Sequence, residues 1–174
     1  MTAALAKREM KRPIENSYWV EEGVLLAGEY PRNKDEQSSR DKVNALLSAG
    51  VRVFIDLTEA DEGLLPYSHL IGDAEHCRFP IQDVSAPKSI AAMKETLDTI
   101  DLFVRKGSLV YVHCWGGVGR TGLVAGCWLA RRLGGPQAYL KLQELWKQCP
   151  KSAYRDSPET EAQRLYIKNW RAGQ

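Results

Sequence analysis

Cys114 and Arg120 are separated by five residues, three of them glycine, in the run His113-Cys114-Trp115-Gly116-Gly117-Val118-Gly119-Arg120-Thr121-Gly122. Glycines let a backbone turn tightly and bring successive N–H groups toward one point, and a following helix adds the positive end of its dipole. A loop of that kind binds a tetrahedral oxyanion. The same field favours the thiolate form of Cys114, which is the nucleophilic form of a cysteine. Arg120 offers a planar fork that fits two oxygens of a phosphate, whereas lysine would offer only a point charge.

A lone cysteine in a reducing compartment is ordinarily a small buried hydrophobe, and Cys77, Cys127 and Cys149 are read that way. The glycines and the arginine overturn that reading for Cys114. A nucleotide-binding loop is a rival, because Gly119-Arg120-Thr121 looks like its end. It fails at two places, since Cys114 stands where its first glycine belongs and Arg120 where its lysine belongs. The four cysteines form no CxxC pair and no Cys/His spacing suited to zinc, so no metal and no cofactor are expected.

The order His-Cys, five residues, Arg-Thr resembles the signature of the cysteine-based protein-tyrosine and dual-specificity phosphatase superfamily. Compact members of the kinase-associated type look closer than large receptor-type domains. The likeness runs from Leu26-Ala27-Gly28-Glu29-Tyr30-Pro31 to the C-terminal helix, although only the Cys114 loop is diagnostic.

The resemblance implies that Cys114 is the nucleophile and Arg120 the clamp, with phosphate held by Arg120 and the backbone of Trp115, Gly116, Gly117, Val118 and Gly119. It also implies a mobile loop bearing an acid. The matching residue is Asp83 in Phe79-Pro80-Ile81-Gln82-Asp83-Val84-Ser85-Ala86-Pro87, 31 residues before Cys114. Chemistry requires such a group, because the leaving oxygen of a phosphomonoester must be protonated. Asp56 and Asp73 are the alternatives. The hydroxyl of Thr121 is expected to donate to the Cys114 sulfur, and His113 to support the loop through hydrogen bonds. Glu159 with Gln163, and Thr58 with Glu59, are weaker candidates for the pocket wall.

The implied activity is hydrolysis of phosphoprotein, at phosphotyrosine or with dual specificity, through a cysteinyl-phosphate. Family members that act on inositol phosphates often carry lysine within the loop, and Trp115 to Gly119 contains none. Phosphoprotein is therefore favoured over phosphoinositide. A catalytically silent phosphopeptide-binding module is the other class, and intact Cys114, Arg120 and Asp83 argue against it.

Elements that hold this loop are visible in the patterning. Tyr18 to Val20 and Val24 to Ala27 read as strands around a Glu21-Glu22-Gly23 turn, Asp41 to Ala49 as a helix stopped by Gly50, and Val51 to Leu57 as a strand. His76 to Pro80 reads as a short strand. Ile90, Met93, Leu97, Ile100 and Val104 share one face of a long helix. Leu109 to His113 is an apolar strand running into the Cys114 loop, and Thr121 to Leu133 a buried helix ended by Gly134-Gly135. Ala138, Leu142, Leu145 and Trp146 mark another helix. A last one is expected from Ser157-Pro158, carrying Ala162, Leu165, Tyr166 and Asn169 on one side.

Alternation of strands and helices predicts an α/β fold, a central mostly parallel sheet flanked by helices on both faces. The 174 residues suit a single domain over 14–174 behind a mobile lead-in over 1–13. A net charge of +2 gives no sign of a nucleic-acid partner. Neither a signal peptide nor a stretch of roughly 20 apolar residues for membrane insertion is visible. A cytoplasmic enzyme with a phosphorylated protein as its partner is the expectation.

Overall fold

The computed structural model describes residues 9–174. The first eight residues of the expected lead-in lie outside them. Met10 and Arg12 are tied to the first strand, where Trp19 Nε1 donates to the Met10 carbonyl at 3.1 Å and Arg12 Nη1 donates to that of Ser17 at 3.1 Å.

Five strands, β1 (Ser17–Glu21), β2 (Leu25–Gly28), β3 (Val51–Asp56), β4 (Glu75–Arg78) and β5 (Leu109–His113), form one sheet in the order β1-β2-β5-β3-β4. Only the β1–β2 hairpin is antiparallel. The mostly parallel sheet is therefore as expected. Because both faces of the central strands are covered, β5 (LVYVH) and β2 (LLAG) are buried along their whole length rather than at alternate residues.

On one face lie α2 (Ile90–Arg105), α3 (Gly119–Leu133), α4 (Gly135–Trp146) and α5 (Glu161–Asn169), whose Met93, Leu97, Leu123, Val124, Leu142 and Ile167 share a core with Val110 and Val112. On the other, α1 (Glu36–Ser48) contributes Val43 and Leu46 to a cluster with Phe54, Tyr67, Leu70 and Tyr111. Helix α5 comes close enough to α3 that a Cβ at Gly126 would run into the Ile167 side chain. Among the described residues no helix is long and apolar enough to cross a membrane.

Three expectations need correction. Helix α1 begins five residues before Asp41, where Asp35 Oδ1 caps it by accepting from the Ser38 N–H at 2.8 Å. Ile90 is exposed, so the buried face of α2 starts at Met93. Helix α5 starts at Glu161 behind a Thr160–Gln163 capping box, and it buries Gln163 and Ile167 while Ala162, Leu165 and Asn169 face solvent. Its first buried position is polar, which displaces an apolar reading of the periodicity.

Candidate active site

The parallel pairing lines up Gly28, Asp56 and His113 side by side, with Arg78 beside Asp56. Chain leaving β2, β3, β4 and β5 therefore emerges at one edge of the sheet, the usual ligand edge of open α/β folds. These four exits carry Glu29 and Tyr30, Glu62, Asp83, and Cys114. The sheet thus converges groups far apart in sequence.

Residues 114–118 form an irregular turn entering α3, and Cys114 is buried at its base. Thr121 Oγ1 lies 3.1 Å from the Cys114 sulfur and donates to it. Four loop carbonyls are held, one by the adjoining His113 and three by distant residues. His113 Nδ1 donates to Cys114 O at 3.0 Å, the Tyr30 N–H to Trp115 O at 2.8 Å, Lys151 Nζ to Gly116 O at 2.7 Å, and Ser157 Oγ to Val118 O at 2.6 Å. With these carbonyls turned outward, the N–H groups that follow them are left for an anion. Gly117 has a φ of 74°, and a Cβ there would lie 2.5 Å from the Gly28 carbonyl carbon. Glycine is required at that position on both counts.

The guanidinium of Arg120 is 1% exposed, and both oxygens of Glu62 accept from it, at 2.5 Å from Nη1 and 3.1 Å from Nη2. Nη1 also donates to the Ile81 carbonyl at 3.0 Å. Asp83 Oδ1 lies 3.3 Å from Nη2, so the clamp and the expected acid are brought together. Burial opposes ionisation of Glu62, but pairing with Arg120 outweighs it and holds this carboxyl below the usual range. Nε of Arg120 is buried and has no acceptor among the described residues, which leaves a donor for a phosphate oxygen.

Burial pushes His113 down to about 4, so its ring is neutral. Its Nδ1–H faces the Cys114 carbonyl, so Nε2 accepts from the Tyr67 hydroxyl at 2.6 Å. Asp56 is fully buried. Burial alone would raise its pKa, but donors from His76 at 2.9 Å and Thr58 Oγ1 at 2.6 Å outweigh that and hold the carboxyl well below its ordinary value. A carboxylate held ionised in that way braces the sheet edge and has no proton to give.

The remaining candidates separate. Asp73 precedes β4, at the opposite end of the strands from Cys114. Thr58 is spent on Asp56, and the Glu59 N–H donates to Glu62 Oε1 at 2.7 Å, so Glu62 is the group that this segment contributes. Glu159 pairs with Arg155 at 2.9 Å through Oε1, while its Oε2 lies against Gly119 at the end of the loop, 2.8 Å from where a Cβ would stand. Gln163 Nε2 donates to the Ser85 carbonyl at 3.0 Å, tying α5 to the Asp83 loop. Sequence reasoning missed Glu62, Tyr67, Lys151 and Ser157. For Glu62 the signal was the acidic run Glu59, Asp61, Glu62 after β3, because a buried arginine needs a carboxylate.

Trp115 is 62% exposed. Beside the cradle it walls a groove of about 530 Å³ with Tyr30, Arg32, Lys34, Leu64 and Leu65.

A family model described as "Polymorphic toxin system, DSP-PTPase phosphatase" matches residues 29–134, more than half of the chain. The protein named "Putative tyrosine phosphatase 067L" of Invertebrate iridescent virus 3 is 32% identical over 135 residues, 75% of this chain and 52% of the viral one. Cyclin-dependent kinase inhibitor 3 of Sus scrofa is 33% identical over 91 residues, 48% of this chain and 42% of that one. The chain spans about half the length, or less, of these curated relatives. Among solved structures, Tk-PTP in its active form aligns with a TM-score of 0.69 at 24% identity, covering 88% of this chain and 94% of that one. Kinase associated phosphatase aligns at 0.67 and 19%, covering 87% and 90%. PTPMT1 in complex with PI(5)P aligns at 0.66 and 16%, covering 87% and 92%. These likenesses show a shared fold. With the family model spanning β5, the Cys114 loop and α3, the chain belongs to the DSP-PTPase phosphatases.

Proposed function

We propose that the chain is a cysteine-dependent phosphatase that hydrolyses phosphomonoesters of proteins, at phosphotyrosine or with dual specificity. The observation that carries this reading is the meeting of Cys114, Thr121, Arg120 and Asp83 at one sheet edge, with Thr121 Oγ1 3.1 Å from the sulfur and Asp83 3.3 Å from the clamp. In the first step the Cys114 thiolate bonds to phosphorus as the bond to the leaving oxygen breaks, and Asp83 gives that oxygen its proton. In the second, water attacks phosphorus and loses a proton to Asp83 while the sulfur departs, its charge accepting from Thr121. Arg120 and the loop N–H groups meet the charge on the transferring group throughout. His113 holds the Cys114 carbonyl and so fixes the base of the loop.

Phosphoprotein is preferred because residues 115–119 present no lysine to a second phosphate, and the exposed Trp115 suits a peptide flank. A nucleophilic thiol works in a reducing compartment, which supports a cytoplasmic location. The test is turnover of an aryl phosphate in EDTA, followed by phosphotyrosine and phosphothreonine peptides and PI(5)P. Metal-independent turnover that favours phosphopeptide is expected. Turnover that needs an added divalent ion, or that favours PI(5)P, would contradict the reading.

A further inference from the structure

We propose that Lys151 is a positioning residue of the phosphate cradle, pinning the Gly116 carbonyl outward so that the Gly117 N–H faces the bound anion. The proposal rests on the phosphatase reading for its ligand. It comes from a part of the chain with no contiguous link to the motif, the short 3-10 turn Pro150–Ala153 after α4.

A trans peptide is planar, and its C=O and the following N–H point in opposite directions. Fixing the carbonyl of residue 116 therefore fixes the direction of the N–H of residue 117. The loop has little means of doing this itself. Gly116 and Gly117 carry no side chains, and the Gly28–Glu29 backbone lies so close to Gly117 that a Cβ would stand 2.6 Å from the Glu29 nitrogen. The donor must come from elsewhere, and Lys151 Nζ supplies it at 2.7 Å.

Lys151 is itself held. Its side chain is 17% exposed, and Nζ also meets Glu29 Oε2 at 3.1 Å. Glu29 in turn accepts from Lys42 at 2.7 Å and from Asn16 Nδ2 at 3.1 Å, while its backbone carbonyl accepts from the Tyr111 hydroxyl at 2.5 Å. Burial opposes the charge on Glu29, but the two ammonium groups outweigh it and keep the carboxyl below its ordinary range. Two ammonium groups thus share one carboxylate, and the balance of positive charge sits directly behind the loop that receives a phosphate. Lys151 contributes both an aimed N–H and part of that charge.

The test uses inorganic phosphate as the probe, which separates this proposal from turnover. Its affinity is read by calorimetry in a Cys114→Ser background and as competitive inhibition of aryl phosphate hydrolysis in the otherwise native chain. Lys151→Met removes donor and charge, and is expected to weaken phosphate by roughly tenfold or more, with kcat/KM falling in step. Lys151→Gln keeps a donor and loses the charge, and is expected to lie between, at about threefold. Thermal melting accompanies both variants, and a merely structural role would lower the melting temperature without the graded loss of phosphate. Phosphate affinity within twofold of the parent for a folded Lys151→Met would overturn the proposal. If that variant does not fold, Lys151→Gln decides alone, and parental phosphate affinity there overturns it. A parent that turns over no ester yet binds phosphate would sink the phosphatase reading and leave the Lys151 comparison decisive. A parent that binds no phosphate would sink both.

Discussion

The Cys114 loop and the Asp83 loop lie side by side and are built in opposite ways. In the first, four carbonyls are each held by a donor, three of them from distant stretches of chain and one from the adjoining His113, and Cys114 and Arg120 are almost wholly enclosed. In the second, Asp83 has a side chain 56% exposed, and Val84 beside it has a φ of 53°. The ties of that second loop are few. Among the described residues its start is tied to the end of β3, where the Phe79 and Ile81 N–H groups donate to the Asp56 and Leu57 carbonyls. Beyond that it is held by the Ile81 carbonyl to Arg120, the Ser85 carbonyl to Gln163, and Asp83 itself to Arg120. Groups that stabilise charge work best when fixed before the reaction, because any reorganisation adds to the barrier. An acid that must meet a bulky leaving group works best on a segment that can give way and return.

Breaking the fixed side is expected to cost most. Cys114→Ser removes the proposed nucleophile and leaves the N–H groups and Arg120 in place, so turnover should vanish while inorganic phosphate still binds. Steady-state rates with calorimetry check this, and residual turnover near the parental rate would remove Cys114 from its role. Breaking the open side should cost less and depend on the substrate. Asp83→Asn is expected to slow a phosphotyrosine peptide by about 10²–10⁴-fold, and a strongly activated nitrophenyl phosphate much less. Equal losses for both substrates would show that the proton comes from elsewhere.

The bridge between the two loops gives a smaller, sharper test. Glu62 holds Arg120 through both oxygens, and Glu62→Gln keeps the shape while surrendering the charge and one acceptor. A fall of about tenfold in kcat/KM is expected, of the order seen when a charged hydrogen bond is weakened. Unchanged kinetics would mean that Arg120 is held well enough by the Ile81 carbonyl and Asp83.

The smallest effect is on stability rather than rate. Burial holds His113 at about 4 against an ordinary value of 6.5, so the unfolded chain takes up the proton first as pH falls. Stability is therefore lost between about 6.5 and about 4, by up to roughly 3 kcal/mol, and His113 contributes no further slope below that window. Asp56, held lower still, loses its own contribution only in stronger acid. Urea midpoints at pH 7 and pH 4.5 should differ less in His113→Asn than in the parent. An equal difference would show that His113 does not set the slope.

What could be read from sequence was what is contiguous in it. His113, Cys114, the glycines, Arg120 and Thr121 lie within nine residues, and the β5–loop–α3 order follows from local patterning. Asp83 was reached by resemblance rather than by pattern, since a loop aspartate between prolines has no periodicity of its own. Glu62, Lys151 and Ser157 stayed hidden because their roles exist only after folding brings the β3 exit and the segment between α4 and α5 against the Cys114 loop. Polar stretches misled for a related reason. The first five residues of α1, Glu36 to Arg40, are all polar, with no apolar rhythm to mark a helix, and α5 buries Gln163 because its amide serves Thr160 and Ser85.

The covalent step is the central claim, and it is tested most directly by rapid acid quench during turnover of an activated aryl phosphate in EDTA, with mass analysis of the quenched chain. The Asp83→Asn variant suits this measurement, because an activated leaving group needs little acid in the first step while the second step still lacks its base. The expected result is a phosphoryl group on the peptide containing Cys114, more abundant in Asp83→Asn than in the parent and absent from Cys114→Ser. Turnover with no phosphorylated chain at any quench time, or a phosphoryl group on another residue, would contradict the account.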